Sequence, residues 1–137
     1  MHYIKKHLEG IEVAFPYRKV VLEKGMNQFL NHLLLNELTT LSGRIEALKK
    51  KYALKYHVPI VVNQQVCFFT LRPLRHPHSI CLNIYAIKSF VGYETTQTMI
   101  VFHNYETLIL NYPYHLLKKR FDQTKTILEK LSNEARK

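Results

Sequence analysis

The chain has 137 residues, 47% of them hydrophobic, and a formal net charge of +10 from 20 Lys and Arg against 10 Asp and Glu. That length and apolar content suit one compact domain with its own core and exclude a chain disordered over most of its length. No apolar run approaches the ~20 residues of a membrane-spanning helix, and Lys5, Lys6, Glu9 and Glu12 break any signal-peptide core. A cytoplasmic protein is therefore expected, with Cys67 and Cys81 as reduced thiols acting as small hydrophobes.

In chain order, Ile11–Phe15 and Arg18–Leu22 read as two short strands separated by Pro16-Tyr17. From Met26 the period changes: Met26, Phe29, Leu30, Leu33, Leu34, Leu38 and Leu41 fall on one stripe, which predicts a helix over 26–41. Ser42-Gly43 reads as its end, because glycine commonly follows a helix terminus. A second helix is expected over Arg44–Leu54, rich in Ala, Leu, Lys and Glu. Pro59 stops it, and Ile60–Val62 with Gln65–Leu71 predicts a hairpin around Asn63-Gln64. Arg72–Ser79, with Pro73 and Pro77, reads as an exposed loop.

Ile80–Val91 is the longest strand expected, and Thr98–His103 with Glu106–Leu110 forms a hairpin across Asn104-Tyr105. Pro113 opens the last helix, whose buried stripe is Leu117, Phe121, Thr124, Leu128 and Leu131, with Ile127 beside it. Lys118, Lys119, Arg120 and Lys125 lie mainly on its outer faces. The expected fold class is α+β, a mostly antiparallel sheet with about three helices, in a single domain over residues 1–131. Residues 132–137 are expected to form a frayed basic tail.

Charge patterning carries the functional signal. No acidic residue occurs between Glu46 and Glu94, yet that stretch holds Lys49, Lys50, Lys51, Lys55, Arg72, Arg75 and Lys88, together with His57, His76 and His78. Concentrated like charges repel unless an anion relieves the field, so a polyanionic partner is expected, nucleic acid first and an anionic membrane surface second. A solvated basic face without a dedicated ligand is the plainer reading. Three consecutive lysines suit phosphate contact, whereas Arg72 and Arg75 suit insertion into a narrow A·T minor groove. A helix-turn-helix reading meets a very short turn and few Asn or Gln residues to read base edges.

Enzymatic signals are weak: there is no glycine-rich phosphate loop, nucleophile elbow or paired-carboxylate motif. His32 and His115 read as surface or boundary residues. Cys67, His76, His78 and Cys81 bracket the proline loop, but their spacing matches no standard zinc knuckle, so neither metal nor cofactor is expected.

The order of these segments resembles the bacterial competence transcription factor family, ComK. The resemblance begins at Val20-Val-Leu-Glu-Lys-Gly25 and continues through Ser42-Gly-Arg44, His57-Val-Pro-Ile60, Cys67-Phe-Phe-Thr-Leu-Arg-Pro73 and Ser79-Ile-Cys-Leu-Asn-Ile84. The hairpin and the helix from Pro113 follow in the same order, so it spans roughly residues 10–130. It implies a cytoplasmic activator of DNA-uptake genes that binds AT-rich paired boxes as a dimer or higher oligomer, largely through the minor groove. It also implies control by adaptor-mediated proteolysis, although the chain lacks the family's adaptor-binding tail after its last helix. The family's tryptophan after the strand cysteine is replaced here by Leu82 or Asn83, and the variable loop is rich in His and Pro.

Together these readings give double-stranded DNA as the expected partner, with Arg44, Lys49, Lys50, Lys51, Lys55, Arg72, Arg75 and Lys88 as DNA-binding residues. Arg72 and Arg75 would read the groove. The alternative is a protein-interaction or RNA-binding module with a basic surface and no catalytic activity.

Overall fold

A computed structural model describes residues 1–135. Among them are nine strands and three α-helices: β1 (Tyr3–His7), β2 (Gly10–Phe15), β3 (Arg18–Leu22), α1 (Met26–Leu35), α2 (Leu41–Tyr52), β4 (Ile60–Val61) and β5 (Cys67–Thr70) come first. β6 (Ile80–Asn83), β7 (Ile87–Tyr93), β8 (Gln97–Phe102), β9 (Thr107–Leu110) and α3 (Tyr114–Ala135) complete the chain. The fold is α+β and every strand pairing is antiparallel.

Six strands form one sheet in the order β3-β2-β1-β6-β5-β4, and β7-β8-β9 form a second. Successive side chains leave a strand on opposite faces, and both faces of the larger sheet are buried. Ile4, Val13, Phe68 and Cys81 point into one core, closed by Met26, Phe29, Leu30 and Leu34 of α1. Tyr3, Ala14, Phe69 and Leu82 point into the other, closed by Ile100 and Phe102 of the second sheet and Leu117 of α3. Phe121 of α3 meets Phe69 edge-on, with ring centroids 6.0 Å apart. The adjacent-strand thiols Cys67 and Cys81 are thus in different cores, and burial pushes each pKa up to about 12. Neither thiol joins His76 and His78 at the proline loop, and no three His, Cys, Asp or Glu side chains cluster for a metal among the described residues.

Strand β1 is absent from the sequence reading, yet it is central to the large sheet, pairing Ile4 with both Val13 and Cys81. A strand buried on both faces shows no alternation, and only Tyr3 and Ile4 precede the two lysines. The β1–β2 turn needs Gly10, whose φ is +142° and where a Cβ would lie 2.0 Å from the Leu22 carbonyl oxygen.

The expected helix over 26–41 is two elements. α1 stops at Leu35, Leu38 adopts a left-handed φ of 58° and is fully exposed, and Leu41 belongs to α2. The leucine spacing keeps helical phase by coincidence across this break. Ser42-Gly43 is therefore no terminator but lies in the first turn of α2, whose N-cap Thr40 accepts the Gly43 N–H through its hydroxyl at 3.1 Å. Asn31 of α1 accepts the Leu41 N–H at 2.8 Å, tying the two helices together.

The expected strand over 80–91 is likewise broken. Asn83 accepts the Tyr85 N–H at 3.3 Å and starts a 3-10 turn over Ile84–Ala86, after which the chain enters the second sheet. The hairpin around Asn63-Gln64 forms, with Asn63 Oδ1 accepting the Gln65 and Val66 N–H groups. The hairpin across Asn104-Tyr105 also forms, within a residue of its expected ends. Pro113 immediately precedes α3, and its carbonyl accepts the Leu117 N–H. α3 continues helically through Ser132–Ala135; the rest of the basic tail lies outside the described residues.

Candidate nucleic-acid interface

The expected cations do not form one surface. Arg44, at the start of α2, lines a recess with Glu37, Gln65, Tyr85 and Leu131, and its Nε is buried without a hydrogen-bond partner among the described residues. Lys49, Lys50 and Lys51 occupy the last turn of α2, where positive charge also complements the helix carbonyl end. Lys88 is on the second sheet, with its ammonium 3.0 Å from the Tyr105 hydroxyl and 4.2 Å from that ring's centre.

Arg72 and Arg75 share the proline loop. Arg75 is exposed, whereas Arg72 is half-buried and donates to the Asn111 carbonyl at 3.3 Å. Consecutive turns shape the loop: the His76 N–H donates to the Pro73 carbonyl and the Ser79 N–H to the His76 carbonyl. The His78 N–H donates to His76 Nδ1 at 3.0 Å.

The acid-free stretch of sequence is not acid-free in space. Glu134 of α3 forms an ion pair with Lys51 and accepts the Tyr52 hydroxyl at 3.5 Å, and that contact raises the Lys51 pKa. Glu46 lies 4.0 Å from Lys49 within α2. Lys50 and Lys55 are exposed, and neither has a carboxylate partner among the described residues.

The concentrated charge is in a groove between the segment after α2 and the outer face of α3. Lys55, Lys119, Arg120 and Lys130 line it together with Tyr52, Tyr56 and His57, and no carboxylate among the described residues does. Ala53, which caps α2, and His57 both adopt left-handed backbone, with φ of 53° and 56°, in the segment that lines the groove. Tyr52 carries the ammonium groups of Lys51 and Lys130 at 5.9 and 5.8 Å from its ring centre. Arg120 donates to Gln123 at 3.3 Å, while its Nε is buried without a hydrogen-bond partner among the described residues. Burial, then the positive charges of Arg120 and Lys119, hold the His57 imidazole below its ordinary pKa.

Lys119, Arg120 and Lys130 were not among the expected site residues. Lys119 and Arg120 are read in the sequence as outer-face cations of the last helix and Lys130 is not singled out there; only the fold brings the three against Lys55.

A basic α+β protein with an acid-free groove of cations and aromatic rings has the chemistry of a polyanion binder. The family model described as ComK protein matches residues 5–136, nearly the whole chain. The chain belongs to the ComK family, a family of competence transcription factors. Neither a curated protein nor a solved structure matches it.

Proposed function

We propose that this chain regulates DNA-uptake genes by binding AT-rich duplex DNA through the minor groove as a dimer or higher oligomer in the cytoplasm. Residues 1–131 act as one DNA-binding domain. The observation that carries this reading is the groove of Lys55, Lys119, Arg120 and Lys130, and exposed Lys50 in the last turn of α2 adds a further cation. These groups neutralise phosphates, and the loop arginines supply sequence preference, with exposed Arg75 the principal reader and Arg72 supporting the loop through Asn111.

The test compares an AT-rich duplex, a GC-rich duplex and RNA across a salt series. Neutralising about five phosphates per protomer gives a log–log salt slope near −4 to −5. Replacing Arg72 and Arg75 with lysine preserves charge, so nonspecific binding survives while AT-over-GC discrimination falls by about 1–3 kcal/mol. Full AT preference in the double variant would move the reading role to another element. Tyr52 and exposed Tyr56 favour the second reading, an RNA binder, because rings beside cations stack unpaired bases. Tighter binding to single-stranded RNA than to the AT-rich duplex would select it.

A further inference from the structure

A separate cleft of about 410 Å³ opens between the end of β1 and the segment joining β9 to α3. Its polar wall consists of Lys5, Lys6, Arg72, His78 and Ser79, and no carboxylate lines it. Glu12 lies 3.5 Å from Lys5, whereas Lys6, Arg72 and His78 form no ion pair among the described residues. Arg72 uses one of its five N–H donors on Asn111, which orients the guanidinium. At the wall, Ser79 is 1% exposed, and its hydroxyl has no hydrogen-bond partner among the described residues. The rest of the lining is Leu71, Ile80, Ile109, Leu110, Asn111 and Tyr112, mostly apolar, with Ile109 itself exposed.

We propose that this cleft binds a phosphomonoester of nucleotide size, with its phosphate on Lys6, Arg72 and His78 and its organic body against Ile109 and Leu110. The donors come from β1 and from both ends of the proline loop, so two separate segments bring cationic groups to one cleft. That arrangement suits a tetrahedral anion with several acceptor oxygens better than a planar carboxylate. The volume lies within the range of small-molecule sites, which combine apolar walls with a few placed polar groups. A backbone diester of a duplex has a sugar on each side and would leave the apolar wall facing water. In the same loop, desolvation and then the charges of Arg72, His78 and Lys6 hold the His76 imidazole below the ordinary histidine range.

The test titrates the full chain, followed by amide NMR, with adenosine 5′-monophosphate, adenosine, inorganic phosphate and an AT-rich duplex. It uses wild type, Lys6→Gln and Lys50→Gln; Arg72 is left intact because the DNA reading also uses it. The monophosphate should saturate at one per chain and shift the Lys6, His78 and Ser79 amides. Inorganic phosphate should bind more weakly and adenosine should leave those amides unmoved. Lys6→Gln should weaken the monophosphate about tenfold, the scale of one lost charge-assisted contact, while Lys50→Gln weakens only the duplex. No saturation by about 10 mM, where affinity is thermodynamically negligible, would overturn the proposal. So would shifts confined to α2 and α3, adenosine binding as well as its monophosphate, or Lys6→Gln weakening monophosphate and duplex equally. Duplex binding unchanged in Lys50→Gln, with monophosphate binding intact, counts against the DNA reading alone.

Discussion

Lys51 and Lys50 are neighbours in sequence with different prospects at a phosphate. The Glu134 carboxylate already holds Lys51, whereas Lys50 has no carboxylate partner among the described residues. Lys50→Ala should therefore weaken duplex binding more than Lys51→Ala, and Glu134→Gln should tighten it and steepen the salt slope by up to about one unit. Fluorescence anisotropy over a salt series checks this; equal losses in the two lysine variants would mean that the ion pair opens at no cost. His2 offers a stability test. Its ring stacks on Phe102 at 4.2 Å, and burial lowers its pKa despite the Glu106 carboxylate 3.4 Å away. The unfolded chain thus takes up a proton where the folded one does not, so stability falls as pH drops through about 6.5, the unfolded value, and levels off below the folded pKa. Urea midpoints near pH 7 and pH 5 should differ less in His2→Phe, which keeps the stack. His57 and His76 shift in the same direction, so the slope shrinks without vanishing. The charges themselves were legible from residue types; their partners were not, because Glu134 reaches Lys51 only through the packing of two distant helices.

Among elements, the two breaks depend on side-chain oxygens of different burial. Asn83 accepts the Cys67 N–H at 3.2 Å and the Tyr85 N–H, and it donates to the Met1 carbonyl at 2.9 Å and the Gln65 carbonyl at 3.4 Å. Asn83→Ala leaves the buried Cys67 N–H and three partly buried groups unpaired at the point where the chain changes sheets, and should cost about 1–3 kcal/mol. Thr40→Ala removes an exposed N-cap and should cost about 1 kcal/mol. Denaturant midpoints for both give the comparison, and an Asn83 variant no less stable than the Thr40 variant would deny Asn83 its role at the corner. Apolar periodicity passed through both positions unbroken, since leucines flank the first break and Ile84, Ala86 and Ile87 follow the second. Hydrophobic pattern reports which face is buried, and it does not report a turn whose flanks stay buried.

Over the whole molecule, Leu35 on α1 and Leu116 on α3 remain exposed, as does Leu38 beyond α1. The proposed function, on the paired boxes that the family resemblance implies, calls for a two-fold protein, so sedimentation at tens of micromolar should show a dimer or larger species with DNA. Leu35→Glu should shift it towards monomer without changing the circular dichroism spectrum. Monomer alone, with and without DNA, would remove self-association from the proposed function. The α+β class, the segment order apart from β1 and the division of residues 80–91, the basic character and the family resemblance were carried by the sequence, because local propensity and composition act over a few residues. The central place of β1, the corner at Asn83, the capture of Lys51 and the meeting of Lys55 with Lys119, Arg120 and Lys130 were decided only by tertiary structure. Each depends on which distant segments share a face, and that is set by burying both sides of the six-stranded sheet at once.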